Sequence, residues 1–95
     1  MQFNKLKELR NFSDPDYVMN KAKMMGLNPV HESSRKDKKN MVFDGRAMVH
    51  FGSLPYYDWT YDHNEERRNR FRKRNWKWQN SPKYSPAWLS WFLLW

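Results

Sequence analysis

The segment "RRNRFRKRNWK" carries Arg67, Arg68, Arg70, Arg72, Lys73, Arg74 and Lys77 with no acidic group among them. Guanidinium forks pair with phosphate or carboxylate oxygens through two parallel hydrogen bonds, and arginine predominates in this run. Each phosphate so neutralised releases counterions, and Trp76 and Trp78 at the end of the run are of the type that stacks on bases. Arginine and tryptophan are also the residue types concentrated at protein interface hot spots. Nucleic acid and an acidic protein surface are therefore both candidate partners, and the residue types fit each. On a helix successive residues lie about 100° apart, so these charges encircle the axis rather than forming one stripe. Glu66 stands four residues before Arg70 and can pair with it, which leaves most of the charge unmatched.

A second constellation closes the chain. In "SPAWLSWFLLW", Trp88, Trp91, Phe92 and Trp95 fall at i, i+3, i+4 and i+7, which predicts one aromatic face of a C-terminal helix. That face either closes the protein's own core or inserts into a neighbour's groove. The proline-broken stretch "QNSPKYSP" before it makes the segment separable, so docking or domain exchange is open to it. A further basic cluster, "HESSRKDKKN", reads as a solvated turn that includes Lys36, Lys38 and Lys39. Placed beside the arginine helix, it would complete one positive face.

Enzymatic chemistry finds little footing. His63 in "DHNEE" lies among acids, but a metal nuclease of the ββα type wants a further histidine on the following helix, and none follows. The chain has no cysteine and only three scattered histidines, so no zinc-ligand spacing appears. Three glycines form no phosphate-cradling loop, and no Ser/His/Asp arrangement has a supporting context. The expectation is a protein that is not an enzyme and needs no catalytic residue, metal, cofactor or small-molecule substrate.

The elements that must position these residues are few. Ninety-five residues make a single small domain, 1–95, with a thin core. The formal charge is +8 and the mean hydropathy −1.14, yet twelve of the seventeen aromatics, with all six tryptophans, lie at or after Tyr56. The carboxyl half thus holds the packing surface. The first twenty residues contain no unbroken apolar segment, so no secretory signal is expected. The terminal apolar run is about half of the roughly 20 residues needed to span a bilayer, which limits membrane contact to shallow association.

Phe3, Leu6 and Leu9 predict a short helix over 3–11. "SDPDYVMNKAKMMG" predicts a better-signed one over 15–25, with a cap at Ser13 or Asp14, Pro15 in the first turn, Gly26 as its stop, and Val18, Ala22 and Met25 facing inward. These helices make up a part spanning 1–26. Asp44-Gly45 between apolar runs predicts a tight primed hairpin turn joining strands at 41–43 and 47–51, with a third strand near 29–34, a meander within 29–52. Asp62 and Glu65 have capping-box spacing for a helix over 63–76, in a basic part spanning 58–78. The aromatic helix starts at Pro86 within 84–95. The fold class is α+β: a small antiparallel meander with flanking helices, one basic helix and a C-terminal aromatic helix.

Residues 35–95 resemble a family of small basic proteins of large double-stranded DNA viruses of algae and protists. The likeness runs through "SRKDKKNMVF", "VHFGSLPYYDWT", "RRNRFRKRN" and "SPAWLSWFLLW". His50, Phe51, Gly52, Asp58, Trp59, Thr60, Arg67, Arg68, Arg74 and Trp95 match its pattern. The sequence departs from it at "YDHN", where a His-Lys-Asp group is usual, and at Ser85 to Ala87, which replace a small-residue pair. The resemblance implies a virion setting, with host cytoplasm during assembly, and a structural role as a minor capsid protein cementing larger shell proteins. Other capsid proteins would be its partners. The alternative is a virion nucleic-acid-binding protein acting in genome condensation.

Overall fold

The computed structural model describes residues 4–95. It is an α+β fold: short helices surround a three-stranded antiparallel sheet in the order β1-β2-β3. Helix α1 spans Lys5–Leu9 and is capped by the Asn4 side chain on the Lys7 amide. It is shorter than the stripe of Phe3, Leu6 and Leu9 implied, and Phe3 lies outside the described residues. Helix α2 spans Pro15–Met24, with Asp14 as the cap, accepting from the Tyr17 amide, and Pro15 in the first turn. Val18 and Ala22 are buried as their spacing requires, but Met25 is 37% exposed. Gly26, at φ +74, turns the chain out of the helix, so Leu27 takes the inward place assigned to Met25.

Strands β1 (Val30–Glu32), β2 (Lys38–Phe43) and β3 (Met48–Ser53) form the expected meander. Val42 pairs with Val30 on one side and Val49 on the other. The hairpin lies where Asp44-Gly45 placed it, with longer strands and a different division of labour. Asp44 precedes the two central residues, its main-chain N–H donating to the Ala47 carbonyl at 3.1 Å. Its carboxylate accepts from the Arg46 and Ala47 amides at 2.7 and 3.0 Å, which holds the Asp44 carboxyl below its ordinary range. Gly45 alone of these takes positive φ, +105, the arrangement of a turn with glycine first. Gly45→Val meets no neighbour within 4 Å, so backbone strain alone should lower stability, by about 1–3 kcal/mol. A urea unfolding midpoint unchanged from wild type would show that the strain is relieved locally.

The helix expected over 63–76 forms over 65–74, and the rest of the basic part 58–78 is divided into separate short elements on either side. Helix α3 covers Trp59–Asp62 and ends at His63, a non-glycine residue in the left-handed region at φ 52. Helix α4 then spans Glu65–Arg74. The expected Asp62/Glu65 capping box is replaced by Asn64, whose side chain accepts from the Arg67 amide at 2.9 Å. Asp62 is instead drawn into an ion pair with Arg67 at 2.8 Å. A short 3-10 turn, Trp76–Asn80, follows.

The C-terminal segment opens as its sequence requires, with Ser85 capping and Pro86 in the first turn of α5, Pro86–Leu89. It then widens into a π turn over Ser90–Leu94, closed by the Trp95 amide on the Ser90 carbonyl at 3.1 Å. The altered period changes which residues face inward. Leu89, Leu93 and Leu94 are at most 1% exposed and pack with Val18, Ala22, Val42 and Phe51. Trp88, Trp91, Phe92 and Trp95 do not share a face. Trp88 and Phe92 pair on one side at 5.0 Å between ring centroids. Trp91 and Trp95 turn toward Phe71 of α4, with Trp95 stacked on it at 4.1 Å.

Candidate docking groove

Lys39 lies near the end of the cluster that reads as a solvated turn, yet it is 2% exposed. It enters β2 pointing at Asp58, and its Nζ donates to Asp58 Oδ2 at 2.8 Å. The other carboxylate oxygen accepts from the Thr60 amide at 2.9 Å and from the Thr60 hydroxyl. That hydroxyl oxygen lies 2.9 Å from Ser13 Oγ and accepts from the Asp14 amide at 3.0 Å. One buried polar chain thus ties β2, the N-cap of α3 and the start of α2 together. Burial pushes the Lys39 ammonium below its ordinary range, and the Asp58 carboxylate opposes that shift. The ion pair and its hydrogen bonds offset the desolvation of both charges, which an unpaired partner could not do.

Gly52 in β3 sits over the aliphatic part of Lys39. It has φ +78, and a Cβ there would come within 2.9 Å of Leu94 Cδ1 and 3.1 Å of Lys39 Cβ. Glycine is required at this position both for its backbone angle and for the close approach of the C-terminal segment.

Around these residues lies an open groove of about 730 Å³. Phe51, Phe71, Leu94 and Trp95 line it. Tyr57 and Trp78 line it as well, and Lys38, Arg67 and Arg74 contribute cations; among the described residues no acidic side chain lines it. Lys38 at the start of β2 and Arg67 and Arg74 of the arginine helix, far apart in sequence, thus line one groove, whereas Arg35 and Lys36 of the same basic cluster lie outside it.

The seven basic residues of the arginine segment are not equivalent. Arg67 is held by Asp62 and lies over the Tyr57 ring. Arg68 Nε donates to the Trp95 main-chain oxygen at 2.7 Å, and its guanidinium covers Trp59. Arg72 donates to the same oxygen at 2.9 Å and lies over Trp91. All three make cation–π and charge-assisted contacts within the fold: Arg67 ties α4 to Asp62 and Tyr57, while Arg68 and Arg72 lock it to the C-terminal turn. Arg70 meets Glu66 at 3.3 Å on the open surface. Lys73, Arg74 and Lys77 take part in no ion pair among the described residues.

The aromatic candidates divide similarly. Trp91 is 7% exposed and belongs to the interior. Trp88, Phe92 and Trp95 are half-buried against neighbouring rings. Trp78 meets Phe71 edge-on at 5.4 Å and still lines the groove, whereas Trp76 is 54% exposed outside it. Tyr56 and Tyr57, 67% and 46% exposed, are accessible groove residues that no helical period or charge run singled out.

A serine and histidine pair also escaped sequence reasoning. Ser33 Oγ and His50 Nδ1 are 2.6 Å apart, brought together from β1's end and β3. The Ser33 hydroxyl also accepts from the Arg35 amide at 2.9 Å. Burial and then the positive charge of Arg35 hold the His50 imidazole below its ordinary pKa, favouring the neutral ring that can accept from serine. No carboxylate hydrogen-bonds this ring among the described residues, and Ser33 is only 3% exposed, so the pair fastens the turn after β1 and lacks the orienting third group of a catalytic triad.

Residues 29–75, from just before β1 to just past α4, match a family of unknown function, DUF5754. The matched stretch includes Lys39, Gly52, Asp58 and Thr60 as well as all the basic groove residues. No curated protein and no solved structure matches the chain.

Proposed function

We propose that this protein is a structural component of a virion, a minor capsid protein that cements larger shell proteins by docking on them, without catalysing a reaction. The observation that supports docking is the groove: a cleft lined by aromatic and apolar side chains together with cations, with no acidic side chain among the described residues that line it. Interfaces draw their energy from buried aromatic anchors surrounded by polar groups, and this surface offers both. The virion setting comes from the sequence resemblance. Of the two roles open to the terminal aromatic segment, closing the protein's own core is supported by the burial of Trp91 and the packing of Trp88 and Trp95 against the core, so the groove is the surface proposed for attachment. Fractionation of intact particles provides the test. The protein should remain with the shell at fixed stoichiometry and be ordered there in a particle reconstruction. Recovery solely with the genome core would overturn the shell role.

Genome binding is the second function the surface supports, through Arg70, Lys73, Arg74 and Lys77, the basic residues least committed to the fold. Replacing these four with Gln should weaken duplex DNA retention and flatten the dependence of log affinity on log salt by about one unit for each phosphate no longer neutralised. Replacing Arg67, Arg68 and Arg72 should act chiefly on stability. Wild-type protein that shows no retention at physiological salt would remove genome condensation from consideration.

A further inference from the structure

We infer that the groove receives an extended peptide segment of a partner protein, one in which carboxylates flank an aromatic or aliphatic side chain. This deepens the docking role proposed above and rests on it. The inference comes from two cations without ion-pair partners that line the same groove as aromatic residues. Lys38 and Arg74 come from separate elements and both line the groove, and neither has an ion-pair partner among the described residues. A carboxylate is the group that satisfies both an ammonium and a guanidinium, the latter in a bidentate manner. The same groove is lined by Tyr57, Trp78 and Trp95, which keep part of their ring surface exposed, surface that an inserted hydrophobic side chain would cover.

The same geometry disfavours a polynucleotide. A nucleic-acid strand carries a charge at every nucleotide and calls for a track of cations, whereas the other groove guanidinium, Arg67, is already paired with Asp62 at 2.8 Å. The other interior cation, Lys39, is paired with Asp58. The groove's volume, about 730 Å³, suits a few side chains, and an extended segment can supply an anchor and flanking acids on alternate residues.

The test is selection from a random heptapeptide library displayed on phage, against the full chain, followed by affinity measurement on the recovered synthetic peptides. The expected consensus places Asp or Glu on either side of Trp, Phe or Leu. Lys38→Glu with Arg74→Glu should weaken the selected peptide by at least about tenfold, as removal of two charge-assisted hydrogen bonds implies. The milder Lys38→Gln with Arg74→Gln should give a smaller reduction in the same direction, and circular dichroism should show both pairs folded. Lys23→Gln, exposed on α2 and outside the groove, should leave affinity unchanged. A consensus without acids, no consensus at all, binding indifferent to Lys38 and Arg74, or displacement of the peptide by equimolar oligothymidylate would each overturn the inference. These results separate from particle fractionation: a shell-bound protein that selects no acidic peptide refutes this inference alone. A peptide-binding protein found only in the genome core refutes the shell role.

Discussion

Lys39→Met is expected to destabilise the fold by about 3–5 kcal/mol, the range for removing one partner of a buried ion pair and leaving the other charge unmatched. Stability for a chain of this length is about 5–14 kcal/mol in total, so the variant should unfold at far lower urea than wild type. The reason is specific to Asp58, which is fully buried and whose Oδ2 has Lys39 as its partner at 2.8 Å. Adding Asp58→Asn to Lys39→Met should recover a substantial part of the deficit, because the carboxamide oxygen can still accept from the Thr60 amide while the buried charge is gone. Lys36→Met, on the exposed part of the same turn, should be close to neutral. Equal midpoints for Lys39→Met and Lys36→Met in urea unfolding followed by tryptophan fluorescence would show that the buried pair contributes nothing. The expectation that Lys36, Lys38 and Lys39 are interchangeable solvated charges is thereby corrected for Lys39.

Truncation after Tyr84 is expected to abolish folding. It removes Leu89, Leu93 and Leu94, each at most 1% exposed, together with Trp91. Large-to-small replacement of a single buried leucine costs about 2–5 kcal/mol, so removing three with an aromatic exceeds what a domain of this size holds in reserve. Far-UV circular dichroism of the truncated chain should show no cooperative thermal transition. Leu93→Ala should keep the fold at reduced stability, whereas Phe92→Ala, at a half-buried position on the outer side of the turn, should act less. A truncated chain with a cooperative transition near the wild-type temperature would mean that the terminal segment is an appendage. Failure of a truncated protein to enter particles would consequently report unfolding, so the proposed attachment to a shell is to be tested with groove substitutions such as Lys38→Glu and Arg74→Glu.

Features governed by a few neighbouring residues were legible before any fold was known. Asp14 and Pro15 start α2 and Gly26 ends it; Ser85 and Pro86 start the terminal helix; Asp44 and Gly45 reverse the chain between two apolar strands. Capping oxygens, a fixed proline φ and glycine's access to positive φ act over one turn of chain, so their signals survive without knowledge of the fold. Even here the details shifted. Asn64 capped α4 because Asp62 was taken by Arg67. Which charges are internal was a matter for the folded chain. Lys39 looks like its neighbours in a basic turn, and its burial depends on Asp58, 19 residues later, closing over β2. The division of the arginines arose in the same way: the faces of α4 toward Trp59, Trp91 and Trp95 claim Arg68 and Arg72, leaving Arg74 to line the groove. The aromatic stripe failed for a geometric reason. Its spacing assumed an uninterrupted α-helical period, and the π turn after Leu89 changes that period, so Leu89, Leu93 and Leu94 enter the core while Trp91 and Trp95 turn to Phe71. Burial is a property of what packs against a residue, and that is settled by contacts between segments distant along the chain.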